Sequence, residues 1–389
     1  MFSSRTNWDS RPSPLYELIL KIRAAGEPIV DLTESNPTNC GFRYQPEILI
    51  PQAALQESVL YDPDPKGLLN ARQAISEWYE RQGIAVDPNS IVLTSSTSEG
   101  YSFLLQLLCD SGEAIAVPKP GYPLFEYLCR LADVQCSSYR LAYDGEWHID
   151  LQSVEEILSD RTKALVLVHP NNPTGSFVKK EERTSLGSLT GASGLPLIVD
   201  EVFGAFPFKQ DSRRHESFAG NTETLTFTLN GLSKVAALPQ MKLAWIVVSG
   251  PVDKRTDALR RLEIIADTFL SVGTPIQHSL KTILTDSVHM TARIHDRISE
   301  NLKHASAMFS NNSPISLFNC EGGWNAVLRL PATRTDEQWA SQLLIDKKVL
   351  THPGHLFEFE TGSCIVVSLL PEPEVFAAGI REVVDLVGM

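Results

Sequence analysis

Basic residues are scarce in this chain of 389 residues, which has 34 Lys and Arg against 47 Asp and Glu and a formal net charge of −13 at pH 7. Nucleic acids and anionic membranes select basic protein faces, so neither is an expected partner. A small anionic ligand is not excluded, because a few positive groups can gather locally. The shortage of basic residues therefore favours a small-molecule ligand.

Long hydrophobic runs are also missing, since no apolar stretch approaches the roughly 18 residues needed to span a bilayer. The N-terminal segment MFSSRTNWDSRPSP has no apolar core of the kind found in a signal peptide. The six cysteines form no C-x-x-C pair and have no metal-ligand spacing, and several lie within apolar runs. We therefore expect a cytoplasmic protein with buried thiols and no metal site.

The pattern between residues 67 and 250 indicates an α/β fold. Short apolar runs alternate there with helical patterns, of which 67–82 is the clearest. Continuously apolar strands separated by helices are typical of a mostly parallel sheet sandwiched by helices. The predicted strands are 91–94, 114–117, 164–168, 197–199, 225–229 and 243–248.

The two ends of the chain have a different pattern. A long helix is predicted over 276–310, followed by strand candidates at 324–330 and 365–369, which indicates a smaller α+β unit. The N-terminal residues have no sheet of their own and are expected to pack against this unit. We predict a large domain over 46–270 and a small domain formed by 1–45 and 271–389.

Polar residues follow the predicted strands at their carboxyl ends, where ligands collect in open α/β sheets. The segments are 94–97, 169–172, 200–201 and 230–231. Each of them alone is better explained as an ordinary start of a loop. Together they are expected to line one rim of the sheet.

Two charged residues stand at the ends of apolar strands. Lys234 follows the strand at 225–229 and has apolar neighbours, and a lysine that reacts as a neutral amine needs such a desolvated setting. A single lysine near a strand end is nevertheless usually a surface residue. Asp200 closes the strand at 197–199 and needs a positive partner if it is buried. A helix N-cap or a salt bridge to a lysine explains Asp200 equally well.

Two further segments have side chains suited to a flat, anionic ligand. Ser96, Thr97 and Ser98 precede an apolar helix, whose first N–H groups together with these hydroxyls form a cup for a phosphate. Taken alone, the segment is an ordinary Ser/Thr N-cap. The turn at 120–123 can present the ring of Tyr122 to a heterocycle, but Tyr122 can equally be a core residue.

The order of these segments resembles the class I/II aminotransferases, which are pyridoxal-phosphate (PLP) enzymes of the aspartate-aminotransferase fold type. The resemblance extends from about residue 12 to the C-terminus, and its five motifs come in the family's order. The segment YDPDPKGLLNAR at 61–72 is similar to the family's Y-x-x-x-x-G-L-x-x-L-R, and DEVF at 200–203 is similar to its D-E-x-Y. The other three resemble P-x-Y-P within 118–123, N-P-x-G within 169–175 and S-K at 233–234.

The resemblance implies PLP as the cofactor and a role for each matching residue. Lys234 would hold PLP as a Schiff base and carry a proton between the substrate Cα and cofactor C4′. Asp200 would pair with the ring nitrogen, which keeps the ring an electron sink, and Asn172 would hydrogen-bond the ring oxygen O3′. Tyr122 would stack on the ring, and with Lys234 and Asp200 it would form the catalytic set. The other cofactor-binding residues would be Ser96, Thr97, Ser98, Asn172, Ser233, Lys242 and Tyr61. Tyr61 would reach the phosphate of the neighbouring subunit, which implies a homodimer.

Three positions depart from the family pattern. Phe203 replaces the tyrosine that donates to O3′, a loss of about 0.5–1.5 kcal/mol. Lys242 replaces the arginine that clamps the phosphate, so the charge is kept and the bidentate fork is lost. Val366 stands where the family has the arginine that binds the substrate α-carboxylate.

Two functions remain open at this point. The first is an aminotransferase that moves an amino group between an amino acid or amine and a 2-oxo acid, with Arg43, His352 or His355 as substitutes for the missing arginine. Each of these three residues is individually better explained as a solvated loop residue. The second is a lyase or decarboxylase of the same fold. A PLP-bound regulator is disfavoured, because no DNA-binding module precedes residue 12 and acidic residues are in excess. Transamination is favoured, because no feature of the sequence indicates a competing reaction.

Overall fold

The computed structural model describes residues 2–9, 11–191, 194–309, 313–360 and 362–388. Its α-helices are α1 Pro14–Ala24, α2 Pro46–Leu49, α3 Gln52–Glu57, α4 Leu69–Glu80, α5 Thr97–Leu108, α6 Phe125–Leu131, α7 Leu151–Ile157, α8 Lys180–Gly191, α9 Leu232–Val235, α10 Val252–Phe269, α11 Thr274–Met308, α12 Asp336–Lys347 and α13 Pro373–Gly388. Its strands are β1 Val30–Asp31, β2 Ile91–Thr94, β3 Ala114–Lys119, β4 Gln135–Tyr143, β5 Trp147–Ile149, β6 Thr162–Val168, β7 Leu197–Asp200, β8 Thr226–Gly231, β9 Ala244–Ser249, β10 Ser316–Leu317, β11 Asn325–Leu330, β12 Val349–Leu350, β13 His352–Pro353 and β14 Ser363–Ser368.

An eight-stranded sheet forms the centre of the larger part, with the strand order β2-β9-β8-β7-β6-β3-β4-β5. The neighbours from β8 to β4 are parallel, whereas β9 is antiparallel to both β8 and β2, and β5 is antiparallel to β4. Strand β2 therefore runs in the same direction as β8. The carboxyl ends of β2, β3, β6, β7 and β8 consequently lie at one edge of the sheet.

Helices cover both faces of this sheet, because successive side chains of a strand point to opposite faces. In β6, Ala164 and Val166 pack into a cluster with residues of α5 and α10, while Leu165 and Leu167 pack with residues of α7 and α8 on the other face. At the β9 end of the sheet, α4 and the first half of α11 complete the second face. Burial on both faces explains why the central strands are continuously apolar.

A four-stranded antiparallel sheet, in the order β10-β11-β14-β13, forms a second unit near the C-terminus. Its inner residues pack against α13 and the second half of α11, so the long helix α11 contributes to the cores of both units. Strand β1 pairs with β12 and ties the N-terminal segment to this unit. The exact division into domains at residues 46 and 270 stays a prediction.

The structure confirms the predicted fold class and every strand predicted from the apolar runs. Strands β4 and β5 were not predicted, because β4 lies near the edge of the sheet and its side chains are mostly exposed or half-buried, so it lacks an apolar run. Cys40, Cys129 and Cys364 are buried and the other three cysteines are half-buried. None of the helices in the described part of the chain is both long and apolar enough to cross a bilayer.

Candidate active site

Four neighbouring strands end side by side and carry four of the predicted site residues to one rim. Lys234 follows β8, Asp200 ends β7, Asn172 follows β6 and Tyr122 follows β3. The structure therefore brings together residues that are up to 112 positions apart in the sequence, from Tyr122 to Lys234.

Asp200 is buried, with 8% of its surface exposed, and both of its carboxylate oxygens accept hydrogen bonds. Oδ1 accepts the backbone N–H of Val202 at 3.1 Å, and Oδ2 accepts the hydroxyl of Tyr101 at 3.2 Å. Burial raises the pKa of Asp200 to about 6, although these two hydrogen bonds and the charge of Lys234 act in the opposite direction. The carboxylate thus lacks a fully compensating cation, which a protonated heterocycle would supply.

Lys234 lies in the short helix α9 directly after β8 and is half-buried. Its Nζ lies 4.8 Å from the centre of the Trp324 ring and 5.4 Å from the centre of the Phe203 ring. Burial lowers the pKa of the Lys234 ammonium to about 8, and the negative charge of Asp200 opposes this shift. A substantial fraction of the side chain is therefore a neutral amine in mildly alkaline solution, which is the form that attacks an aldehyde.

Asn172 lies in the loop after β6, and the small sheet contacts it. Nδ2 of Asn325, the first residue of β11, donates to Oδ1 of Asn172 at 2.7 Å. The preceding residue, Asn171, donates through Nδ2 to the carbonyl of Pro120 at 3.3 Å. These bonds link the Asn172 loop to the turn that carries Tyr122 and to the second sheet.

The predicted phosphate cup lies at the start of α5. Ser96 is the N-cap, and its Oγ accepts the backbone N–H of Glu99 at 3.1 Å. Thr97 and Ser98 form the first turn, and the Ser98 side chain is close enough to the hydroxyl of Tyr122 to lower the pKa of that hydroxyl. Burial, followed by the charge of Asp200, raises the pKa of Tyr122. The start of α5 therefore lies beside the ring of Tyr122.

The other predicted cofactor ligands are less closely associated. Ser233 is half-buried next to Lys234 in α9. Lys242 is exposed, in a left-handed conformation with φ of 49°. Tyr61 is 83% exposed. Among the described residues, neither Lys242 nor Tyr61 forms a hydrogen bond or ion pair with the start of α5.

Val366 is fully buried within β14. It lies directly opposite Val327 of β11 and His352 of β13. It packs in a cluster with Trp147, Phe318, Val327, Phe357 and Cys364. The position that the resemblance assigned to a carboxylate-binding arginine is thus part of an aromatic wall.

The three residues considered as substitutes for that arginine differ in placement. His352 is half-buried beside Val366, and burial lowers its pKa while the charge of Asp31 opposes the shift. His355 is exposed and lies 3.1 Å from Oδ2 of Asp336. Arg43 is exposed. Of the three, His352 has the placement that suits contact with a substrate near Val366.

Sequence reasoning missed three residues at this rim. Tyr101, on α5, is 1% exposed and was hidden within an apolar helix. Trp324 contacts Lys234, and its Nε1 is buried with no partner among the described residues. Asn325 was the easiest of the three to predict from the sequence, because a carboxamide at the start of a strand candidate whose other residues are mostly apolar is unusual.

Comparison with known proteins identifies the family. The model of the family "Aminotransferase class I and II" matches residues 29–375. The chain belongs to the class I and II aminotransferases. It is therefore a PLP-dependent transferase, as the motifs predicted, and it transfers an amino group between an amino acid or amine and a 2-oxo acid. The comparisons give no support to the lyase or decarboxylase alternative.

Similar aminotransferases occur in several bacteria. The chain is 26% identical over 365 residues to the glutamate-pyruvate aminotransferase AlaA of Haemophilus influenzae, covering 92% of this chain and 90% of that protein. It is 27% identical over 379 residues to the alanine aminotransferase of Mycobacterium tuberculosis, covering 95% and 87%. The solved structure of an aminotransferase from Escherichia coli superposes with a TM-score of 0.87 at 25% identity, covering 100% of this chain and 98% of that one.

The side chains at the rim fit PLP. A half-buried amine suits the aldehyde, a buried carboxylate suits the pyridinium nitrogen, and a helix N-terminus with hydroxyls suits the phosphate. The Nε1 of Trp324 is a buried donor that has no acceptor among the described residues, as expected where a polar ligand completes a site.

Proposed function

We propose that Lys234 is the lysine that forms the Schiff base with PLP and that Asp200 is the partner of the ring nitrogen. The observation that carries this proposal is that the half-buried amine of Lys234 and the buried carboxylate of Asp200 lie at the carboxyl ends of the adjacent strands β8 and β7. Burial shifts the pKa of the amine down to about 8 and that of the carboxylate up to about 6. Perturbed titratable groups of opposite type at a strand-end rim are characteristic of catalytic sites.

When bound, PLP supplies an electron sink for the electrons of the substrate Cα–H bond. Asp200 stabilises the protonated ring nitrogen and so maintains that sink. Lys234 would carry the proton between the substrate Cα and C4′, for which its amine must be neutral at the working pH. Tyr122 would stack on the ring, and the aromatic side chains of Phe203 and Trp324 beside Nζ limit the access of water to it.

We propose that Ser96, Thr97 and Ser98 hold the phosphate, with Ser233 beside them and the charge of Lys242 nearby. The N-terminal position of these residues on α5 supports this assignment, because the first N–H groups of a helix lack helical acceptors and attract anions. A lysine at position 242 provides charge without a fixed fork, so its side chain can extend to the phosphate from the surface.

A homodimer with composite sites is part of the proposal. The surface around Tyr61 supports it, because Val59, Leu60 and Tyr61 are 80%, 73% and 83% exposed in succession. Three consecutive exposed apolar or aromatic side chains are unusual on a monomer and typical of an interface. Tyr61 would enter the phosphate site of the partner subunit.

The apolar environment of Val366 bears on the substrate. A carboxylate in contact with Val366 itself would lose hydration and gain no cation from that position, and losing one partner of a buried charged pair costs about 2–5 kcal/mol. We propose that the substrate carboxylate is either absent near this wall or held by hydrogen bonds from neutral groups such as His352. The relatives act on glutamate, pyruvate or alanine according to their names, so a small amino acid is the first substrate to test.

The proposed location is the cytoplasm, and the proposed domains are 46–270 and 1–45 with 271–389. Six cysteines without a disulfide suit a reducing compartment. The two separate sheets, one on each side of the proposed boundary, support the division into domains.

The experiment that tests the function is a screen of amino acids and simple amines against the PLP-loaded protein. Conversion of the bound cofactor to its amine form is followed by absorbance, and a 2-oxo acid is then added to reverse it. Reversible conversion by at least one donor supports transamination. Release of carbon dioxide or loss of a substrate side chain without conversion would contradict it.

A further inference from the structure

One hydrogen bond links the second sheet to a predicted cofactor ligand. Nδ2 of Asn325 lies 2.7 Å from Oδ1 of Asn172 and donates to it, although the two residues are 153 positions apart. Asn325 is the first residue of β11, and Asn172 lies in the loop after β6. Both side chains are half-buried, so solvent competes only partly for this bond.

The bond determines which end of the Asn172 amide remains available. A carboxamide has one oxygen that accepts and one NH₂ group that donates. Because Oδ1 of Asn172 accepts from Asn325, its Nδ2 is the end that is left for a ligand, and this Nδ2 has no partner among the described residues. Asn172 therefore presents a donor to the rim.

Neighbouring positions make this donor important. Phe203 has no hydroxyl to offer, and Val366 provides no guanidinium. On β11 and β14, Asn325 lies opposite Ser368 and Val327 lies opposite Val366, so Asn325 occupies the row adjacent to Val366 on the same face of the sheet. Its carboxamide contacts the Asn172 loop from β11, next to the position where Val366 of β14 offers no polar atom.

We propose that Asn325 is a positioning residue, which holds the Asn172 amide in the orientation that donates to the ring oxygen of PLP. This inference rests on the proposed function, in which Lys234 holds the cofactor, and on the contact to the ring oxygen that the family resemblance implies for Asn172. The ring oxygen carries negative charge and also accepts a hydrogen bond from the protonated Schiff-base nitrogen. A donor on the same oxygen weakens that internal bond and lowers the pKa of the nitrogen.

The test is a double-mutant cycle on the pKa of the Schiff-base nitrogen, measured by titrating the visible absorption band of the PLP-loaded protein. The variants are Asn325→Leu, Asn172→Ala and the double substitution. Leucine is close to asparagine in volume, so packing is largely kept. We expect Asn325→Leu alone to raise the pKa by about half to one pH unit, the effect of one neutral hydrogen bond. In the Asn172→Ala background it should cause no further rise.

A second substitution reverses the amide. Asn325→Asp offers only acceptors, so Asn172 must turn its NH₂ group toward residue 325 and its oxygen toward the cofactor. The pKa should then rise by more than with leucine. The part caused by the added negative charge alone is measured by the same substitution in the Asn172→Ala background and is subtracted.

The outcomes distinguish this inference from the site assignment. Wild-type protein that is not labelled at Lys234 by PLP and borohydride would overturn the proposed function. Labelling at Lys234 together with an unchanged pKa in Asn325→Leu, or with equal effects in both backgrounds, would overturn the positioning role alone. Circular dichroism of each variant identifies any substitution that prevents folding. If Asn325→Leu does not fold, Asn325→Asp and its Asn172→Ala counterpart decide the question in the same way.

Discussion

The hydroxyl of Tyr101 lies 3.2 Å from Oδ2 of Asp200 and donates a hydrogen bond to it. Tyr101 is on α5, and Asp200 is the last residue of β7. This bond opposes the rise in the pKa of Asp200 that burial causes, because it stabilises the carboxylate. Tyr101 thus helps to keep Asp200 ionised, which is the state that can pair with a pyridinium nitrogen.

The first prediction concerns this bond. The pKa of Asp200 in the folded protein is about 6, so the affinity of the apoprotein for PLP should fall as the pH drops through 6 and Asp200 gains a proton. In Tyr101→Phe the pKa of Asp200 should rise further, and the fall in affinity should move to higher pH by about half to one unit. Tyr139→Phe is the matched control, because Tyr139 is equally buried but donates to the carbonyl of Val166. Equal shifts in both variants would contradict the prediction.

The second prediction identifies the reactive lysine. Reduction of the yellow PLP-loaded protein with borohydride should attach a pyridoxyl label to Lys234, and Lys234→Ala should prevent the label, since no other side chain re-forms the imine. Lys242→Ala is the control, because it removes a nearby charge and should weaken PLP binding without moving the label. Peptide mapping that finds the label on a different lysine would exclude Lys234.

The third prediction follows from the lowered pKa of Lys234. The neutral amine reacts, so the rate at which PLP joins the apoprotein should rise about tenfold per pH unit below 8 and level off above it. Burial favours the neutral form, which explains why the plateau should begin well below the ordinary lysine pKa. Stopped-flow absorbance between pH 6 and 10 measures it. A rate that keeps rising to pH 10 would mean that the reacting lysine is exposed.

The fourth prediction concerns the composite site. Tyr61→Ala and Lys234→Ala should each be inactive or weak alone, and a mixture refolded together should recover about a quarter of the wild-type activity, because half of the dimers are hybrids with one intact site. The control mixture combines Lys234→Ala with Tyr127→Ala, which changes another exposed tyrosine. A Tyr61→Ala mixture that recovers nothing would place Tyr61 and Lys234 in the same subunit's site.

The fifth prediction concerns the substrate carboxylate. His352→Ala should lower kcat/KM for the best amino acid by about two- to tenfold, the effect of one neutral hydrogen bond, and leave the best simple amine unchanged. Arg43→Ala is the control, because Arg43 is exposed. Burial lowers the pKa of His352, so its imidazole becomes charged only at acidic pH. Only there should kcat/KM of the unmutated protein for the amino acid rise relative to that for the amine. Full activity of both variants on alanine, glutamate and aspartate would show that the Val366 position is not a functional departure.

The sequence was sufficient for the parts of the fold that rest on local patterns. Asp200 and Lys234 were predicted because an apolar strand precedes each of them, and this pattern can be recognised in one sequence alone. Tyr101 could not be predicted, because its partner is 99 positions away and the helix around it is apolar. The contact between Asn325 and Asn172 depends on how the second sheet packs against the first, which no local pattern encodes.

Helix α5 has a consequence for the length of the ligand. Ser96 caps this helix, and Tyr101, five positions further on, holds Asp200. A helix rises about 1.5 Å per residue, so the backbone positions of Ser96 and Tyr101 are separated along one rigid element by about 7–8 Å. In the proposed site, this helix would therefore fix the spacing between the phosphate cup and the residue that holds Asp200. Forms of the cofactor without the phosphate, such as pyridoxal, would contact Asp200 but leave the phosphate cup empty.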